Sequence, residues 1–295
     1  MTARPLLYLP ILALAAALSS ACSVDLEADV VNATGRFDRQ MTVDGPVELD
    51  VRTGSGSINV RRGGSGQVRV VGEIRANRGF WNSSSAEERV RRIEANPPIT
   101  QSGNSIRIGD FDDRDLPRNV SISYEIIVPQ ETSVRSRTGS GSQRIDSVTG
   151  RVDTETGSGS IRVGEVTGPV VASTGSGSIA VLGAGGGLSA KTGSGSIEAS
   201  GIRGSVRAHT GSGGVSIEGT PTSDWTVRTG SGSIGLRLPS DAGFEIDVRT
   251  GSGSINTNHP IEMRGSLSRR HLQGRVRGGG PRIDASAGSG SIRLE

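Results

Sequence analysis

The chain has 295 residues, of which 45 are glycine and only 3% are aromatic. That composition excludes an ordinary globular core built on large rings, and a single cysteine excludes an intrachain disulfide framework. With 33 basic against 30 acidic residues, the formal charge of +3 is too small to argue for a nucleic-acid partner.

Residues 1–21 read as a secretory signal peptide: Arg4, an apolar run from Leu6 to Leu18, then small residues up to Cys22. The run is shorter than a membrane span. Leu18-Ser19-Ser20-Ala21-Cys22 resembles a bacterial lipobox, in which the thiol is lipidated and becomes the mature N-terminus. The usual leucine stands three residues before the cysteine, where this chain has Ser19. The other reading is plain secretion with a free thiol. Residues 22–46 follow as an anchor or linker.

A strand at Val47–Val51 leads into Thr53-Gly54-Ser55-Gly56-Ser57, the first copy of a phrase that dominates the chain. Residues 61–137 interrupt the repeat as an irregular insert. Within it, Gln67–Ile74, Ser105–Ile108 and Val120–Val128 have strand character. Ser84–Ala95 reads as a helix, with serines to cap it, Glu87 and Glu88 in its first turn and Pro97 just beyond. Asp110, Asp112, Asp113 and Asp115 form an acidic cluster, read as a polar loop or as the carboxylates of a polysaccharide-cleaving solenoid.

The phrase then recurs at Thr138, Thr156, Thr174 and Thr192 and, as the variant Thr-Gly-Ser-Gly-Gly, at Thr210, four intervals of 18 residues; it returns at Thr229 and Thr250 and, as Ala-Gly-Ser-Gly-Ser, at Ala287. A short fixed period means stacked units that cannot bury their apolar faces alone. Each unit carries two short alternating runs, for example Ile161, Val163 and Val166, then Val170 and Ala172. Two strands per unit make one coil of a solenoid, with backbones stacked about 4.8 Å apart. Large residues (Ile161, Ile179, Ile197) on one side then face small ones (Ala172, Ala190, Ala208) on the other. Alternation counted from Ile161 places Ser160 and Ser158 outside, whereas alternation counted from Ala172 places Thr174 inside. Parity must therefore break within the phrase.

Residues 258–285 leave the period as an excursion. Arg264, Arg269, Arg270, Arg275 and Arg277 in it are candidates for contact with an anionic partner, such as a phosphorylated envelope glycolipid. The alternative is a solvated connection between coils. The strand ending at Glu295 reads as an uncapped end, and uncapped solenoid ends can stack on one another.

The phrase lacks the aspartates of calcium-binding β-rolls and the lysine of a phosphate-binding loop. His209, His259 and His271 have no partners at ligand or triad spacing. No cofactor, metal or catalytic residue is expected. Trp81 and Trp225 could stack on sugars or serve as cap or core.

The signal cysteine, the recurrent Thr-Gly-Ser-Gly-Ser-Ile, the early insert and Ile122-Ser123-Tyr124-Glu125-Ile126-Ile127-Val128-Pro129 together carry a resemblance. From about Val47 to Glu295 the chain is similar to a bacterial "putative adhesin" family of unknown function, DUF4097. The resemblance implies a right-handed parallel β-solenoid and brings no catalytic residues with it. The expectation is an all-β, single-stranded parallel β-solenoid of 18-residue coils over residues 47–295, with one short helix. Functionally it is a non-enzymatic lipoprotein of the bacterial cell envelope, membrane-anchored by lipid on Cys22. Its repetitive surface would serve adhesion, binding or scaffolding toward an envelope or extracellular ligand. A self-assembling scaffold and a polysaccharide-active enzyme are the alternatives.

Overall fold

A computed structural model describes residues 33–77, 85–109, 111, 119–263 and 268–295. The coil that begins at Thr174 shows how the repeat folds. Val170–Thr174 buries Val170, Ala172 and Thr174, and Ile179–Ala184 buries Ile179, Val181 and Ala184. Val170–Thr174 pairs in parallel with Val152–Thr156 and Leu188–Ser194, residue for residue at the 18-residue offset. Ile179–Ala184 pairs in the same way with Ile161–Val166 and with the start of Ile197–Ser212. The chain is thus an all-β solenoid with two parallel sheets, one from strands before the phrase and one from strands after it. Ile161, Ile179 and Ile197 stack in one buried column, opposite buried Ala172, Ala190 and Ala208.

Each residue of the phrase has a separate physical task. The threonine points inward, and its hydroxyl donates to the carbonyl of the second glycine in the adjacent coil's phrase. Thr138 reaches Gly56, Thr156 reaches Gly141, Thr174 reaches Gly159 and Thr192 reaches Gly177, all at 2.8–3.0 Å. Thr210, Thr229 and Thr250 continue the ladder to Gly195, Gly213 and Gly290. The same oxygen of Thr138, Thr156 and Thr174 accepts the N–H of the glycine three residues on, at 3.1–3.2 Å. Both glycines are places of close backbone approach. A Cβ on Gly177 would lie 1.9 Å from the Gly159 carbonyl oxygen, and one on Gly175 would lie 2.4 Å from that of Gly157. The serines face solvent. Parity breaks at the first Gly-Ser pair, where Gly175 and Ser176 are both exposed.

One rung is missing. Ala287 is buried in register between Thr229 and Thr250 and offers no hydroxyl to the carbonyl of Gly232. Ala287→Thr should restore that bond and raise stability by about 1 kcal/mol. A higher denaturant midpoint at unchanged slope would check it. A different exception lies at Gln143, which occupies the isoleucine column between Ile58 and Ile161. The hydroxyls of Ser136 and Thr154 donate to its Oε1 and its amide donates to the carbonyl of Glu155, so this buried side chain is satisfied.

The ends depart from the expected boundaries. The strand Ala33–Thr42 pairs antiparallel with Gln67–Ala76 along ten residues. The folded region therefore starts upstream of residue 47, and 33–42 is not linker. Alternation could not reveal this strand, because Phe37 is its one fully buried residue. The Phe37 ring occupies the space where a Cβ on Gly72 would stand. The described residues of the insert 61–137 are likewise largely paired into strands. Gln67–Ala76 pairs antiparallel with Val120–Val128, which pairs in parallel with Ile58–Arg62. Ser105–Ile108 pairs in parallel with Val47–Thr53 and antiparallel with Ile99–Ser102. Ser105–Ile108 and Val120–Val128 together act as one further coil outside the Thr53 coil. The helix Ala86–Ala95, capped by Ser85, packs Val90 and Glu94 over Gly35.

At the other end, spatial order departs from sequence order. Arg282–Ser289 and Ile292–Leu294 lie between the Thr229 and Thr250 coils, paired on both sides. The strand before Glu295 is therefore interior, and the expected uncapped end does not exist there. Beyond the Thr250 coil, His271–Val276 folds back antiparallel onto Phe244–Ser252 and carries Ile261–Met263 at its edge. Much of the 258–285 excursion is thus an antiparallel cap.

Candidate binding surface

The inward threonines and Gln143 are satisfied by the chain itself, and the charged side chains of the coils point outward. The 18-residue period brings like positions together as ladders. Arg137 lies 3.3 Å from Glu155, and Arg135 lies 3.6 Å from Asp153, each pair one coil apart. These pairs are exposed and contribute little stability individually.

The ladders give way in the middle coils. An open groove of about 620 Å³ crosses five consecutive coils at the corner opposite the phrase. Its walls include Glu165, Arg203, Glu218 and Arg237, and its floor includes Gly183 and Gly201. Five coils at about 4.8 Å per step make it about 19 Å long. The groove exists because small residues replace large ones in register. Ser147, Glu165, Gly183 and Gly201 follow one another at 18-residue intervals, and all four adopt positive φ. Glycine takes that conformation without steric cost, whereas glutamate does not. Glu165 is nevertheless held there at φ +54°, accepting a hydrogen bond of 2.9 Å from the Ser147 hydroxyl. Strain of this kind concentrates where a side chain is retained for its chemistry.

A second hollow of about 420 Å³ adjoins the groove and shares Glu218 and Arg237 as its wall. These two form an ion pair at 3.0 Å. Leu182 lines this hollow at 62% exposure, the one large hydrophobic side chain exposed to that degree among the described residues. The site thus combines an exposed backbone floor, an apolar contact point and charges of both signs.

The arginines anticipated in the excursion are dispersed. Arg269 and Arg270 are exposed in the turn between Ser268 and His271. Arg277 is exposed at φ +46°, and Arg275 lies 3.5 Å from Glu245. Arg264 and Cys22 lie outside the described residues, as do Trp81 and the acidic cluster Asp110, Asp112, Asp113 and Asp115. Trp225 is core, fully buried with its indole N–H donating to the Gly204 carbonyl at 2.9 Å.

Near the arginines lies a cluster that sequence reasoning missed. The Asp247 carboxylate, 7% exposed, meets Arg249 at 3.0 Å, Arg282 at 3.0 Å and His271 Nε2 at 3.1 Å. It ties the cap to two coils. A signal existed: Asp247 and Arg249 stand three and one residues before Thr250, as Asp50 and Arg52 do before Thr53, and both pairs form ion pairs.

The family model for Toastrack DUF4097 matches residues 125–295, more than half of the chain. No curated protein matches it. Among solved structures, a "putative adhesin" from Bacteroides fragilis is similar at 15% identity and a TM-score of 0.48, covering 88% of this chain and 97% of that one. A "putative cell adhesion protein" from Clostridium sporogenes is similar at 13% identity and a TM-score of 0.29, over 88% of this chain and 99% of that one.

Proposed function

The chain belongs to the Toastrack DUF4097 family, and we propose that it is a non-enzymatic adhesion protein of the bacterial cell envelope. Lipid on Cys22 holds it to the membrane, and the groove across its middle coils binds an extended partner. The observation that carries this reading is the groove itself, opened in register by Gly183 and Gly201 and walled by Glu165, Arg203 and Arg237. A length of about 19 Å accommodates about six residues of extended polypeptide. The groove lining has no aromatic ring to stack on a sugar face, which favours polypeptide over glycan. Fold alone does not specify function, so the reading rests on this surface. Arg269, Arg270 and Arg277, exposed on the cap, supply positive charge toward an anionic envelope surface.

Arg237→Glu combined with Leu182→Asp should reduce retention of the purified chain on intact cells by about tenfold or more, a loss of about 1.4 kcal/mol. The melting temperature should barely move, since both side chains are exposed. Ser176→Asp, at the opposite corner, should leave retention unchanged. Equal retention by all three proteins would overturn the reading. Mass spectrometry of the mature N-terminus should find lipid on Cys22, and cleavage elsewhere or a bare thiol would refute the anchor.

A further inference from the structure

The order of coils at the C-terminal end has a consequence for self-association. The Thr229 and Thr250 coils are made before residues 282–295, yet they are not neighbours in the fold. Arg282–Ser289 separates them in one sheet, pairing in parallel with 225–231 on one side and 245–252 on the other. Ile292–Leu294 does the same between 234–236 and 255–257. A slot with two unpaired edges in each sheet thus exists until the last coil enters. At the N-terminal end later strands also enter between earlier ones, but each there pairs in parallel on one side and antiparallel on the other: Val120–Val128 lies between Ile58–Arg62 and Gln67–Ala76, and Ser105–Ile108 between Val47–Thr53 and Ile99–Ser102.

The slot recognises its occupant by residues that any copy of this chain carries. Ile283 enters the column between Trp225 and Ile246, and Ile292 that between Ile234 and Ile255. All the backbone pairing is likewise blind to which copy supplies the strand. The occupant is tethered by 277–281, where Gly278, Gly279 and Gly280 all have positive φ. This tether closes tightly over the start of the Thr250 coil: a Cβ on Gly280 would lie 2.5 Å from the Gly243 carbonyl oxygen. The incoming coil is also the one whose phrase lacks the threonine rung, at Ala287.

We propose that this slot is a self-association site, filled by residues 282–295 of a second copy of the chain when the glycine tether opens. Mutual exchange gives a closed pair, with every strand-to-strand backbone bond of the last coil kept, the turn bond from the Gly279 N–H to the Val276 carbonyl given up, and the cap of each copy intact. A short tether keeps a chain's own coil at high effective concentration, so closure onto itself prevails in dilute solution. Exchange prevails at high concentration or when the tether is shortened.

The test uses the full chain with Cys22→Ser, so that no other thiol is present. Arg228→Cys and Ser286→Cys are added, because these residues are register partners on adjacent parallel strands, at a spacing compatible with a disulfide. Two versions that differ in mass are mixed unfolded, refolded together under reducing conditions at rising concentration, and then oxidised. A disulfide joining the two masses is the expected result, its share of all disulfides rising about tenfold for a tenfold rise in concentration while exchange is the minor form. Deleting Gly278 and Gly279 should make the interchain bond dominant. Only intrachain disulfides in the parent at the highest concentration would overturn the proposal, whether or not the shortened variant folds. A dimer whose disulfides are all intrachain would overturn it equally, since that dimer would use another surface.

Discussion

Gly177→Ala is expected to disrupt the stack at the centre of the solenoid, costing about 3 kcal/mol. The added methyl would sit 1.9 Å from the Gly159 carbonyl oxygen, which is backbone and cannot swing aside. That oxygen also accepts the Thr174 hydroxyl at 2.8 Å, so moving the coils apart strains the ladder as well. Ser176→Ala, one residue away, should change stability by less than about 0.5 kcal/mol, because Ser176 is exposed. Denaturant unfolding of the two variants side by side measures the contrast. Similar midpoints would mean that the coils are not in the close register described.

The second large effect is expected at Ile179. Its side chain is fully buried between Ile161 and Ile197. Ile179→Asp would place an unpaired carboxylate in that column, with a cost of about 3–5 kcal/mol near neutral pH. Burial disfavours the charged form, so the folded-state pKa of this new carboxyl is raised above its unfolded value of about 3.9. The folded state then binds the proton more tightly than the unfolded state. The deficit relative to the parent is therefore smallest below pH 3.9 and grows as the pH rises through the folded pKa. Thermal melts of variant and parent at pH 3 and pH 7 check the sign. Parent-like melting at pH 7 would show that Ile179 does not face the core.

What the sequence made legible follows from periodicity. In the middle coils, every inward position recurs at 18 residues, so Ile161, Ile179 and Ile197 announce themselves as a column and Ala172, Ala190 and Ala208 as its opposite. The inward threonine and outward serines were also implied by counting from the two strands, although the break in parity could not be placed. Gly175 and Ser176 mark it because a tight corner there needs two consecutive outward residues. The ends were harder to read because they are built from antiparallel strands with no repeat. Ala33–Thr42 has one buried side chain and an exposed edge, so no alternation betrays it. The insertion of the last coil between two earlier ones leaves no trace in the local sequence, since the Ala287 phrase fits either position.

The candidate surface was less legible than the core. The excursion drew notice because arginines cluster there in sequence, but the fold places Arg275 beside Glu245 and leaves Arg269 and Arg270 in a turn. The groove comes instead from what is missing. Gly183 and Gly201 stand where Glu165 stands one and two coils earlier, a difference visible only once the coils are aligned at 18 residues. Reading outward columns as well as inward ones would have found it.

Amide hydrogen exchange of the chain, free and bound to intact cells, tests the adhesion surface most directly. The account predicts added protection on binding at 165–167, 183–185, 201–203, 218–220 and 237–239, the five coils that line the groove. The phrase corner at 175–178 should exchange alike in both states. Protection confined to the phrase corner or to the cap, or no change anywhere in bound protein, would contradict it.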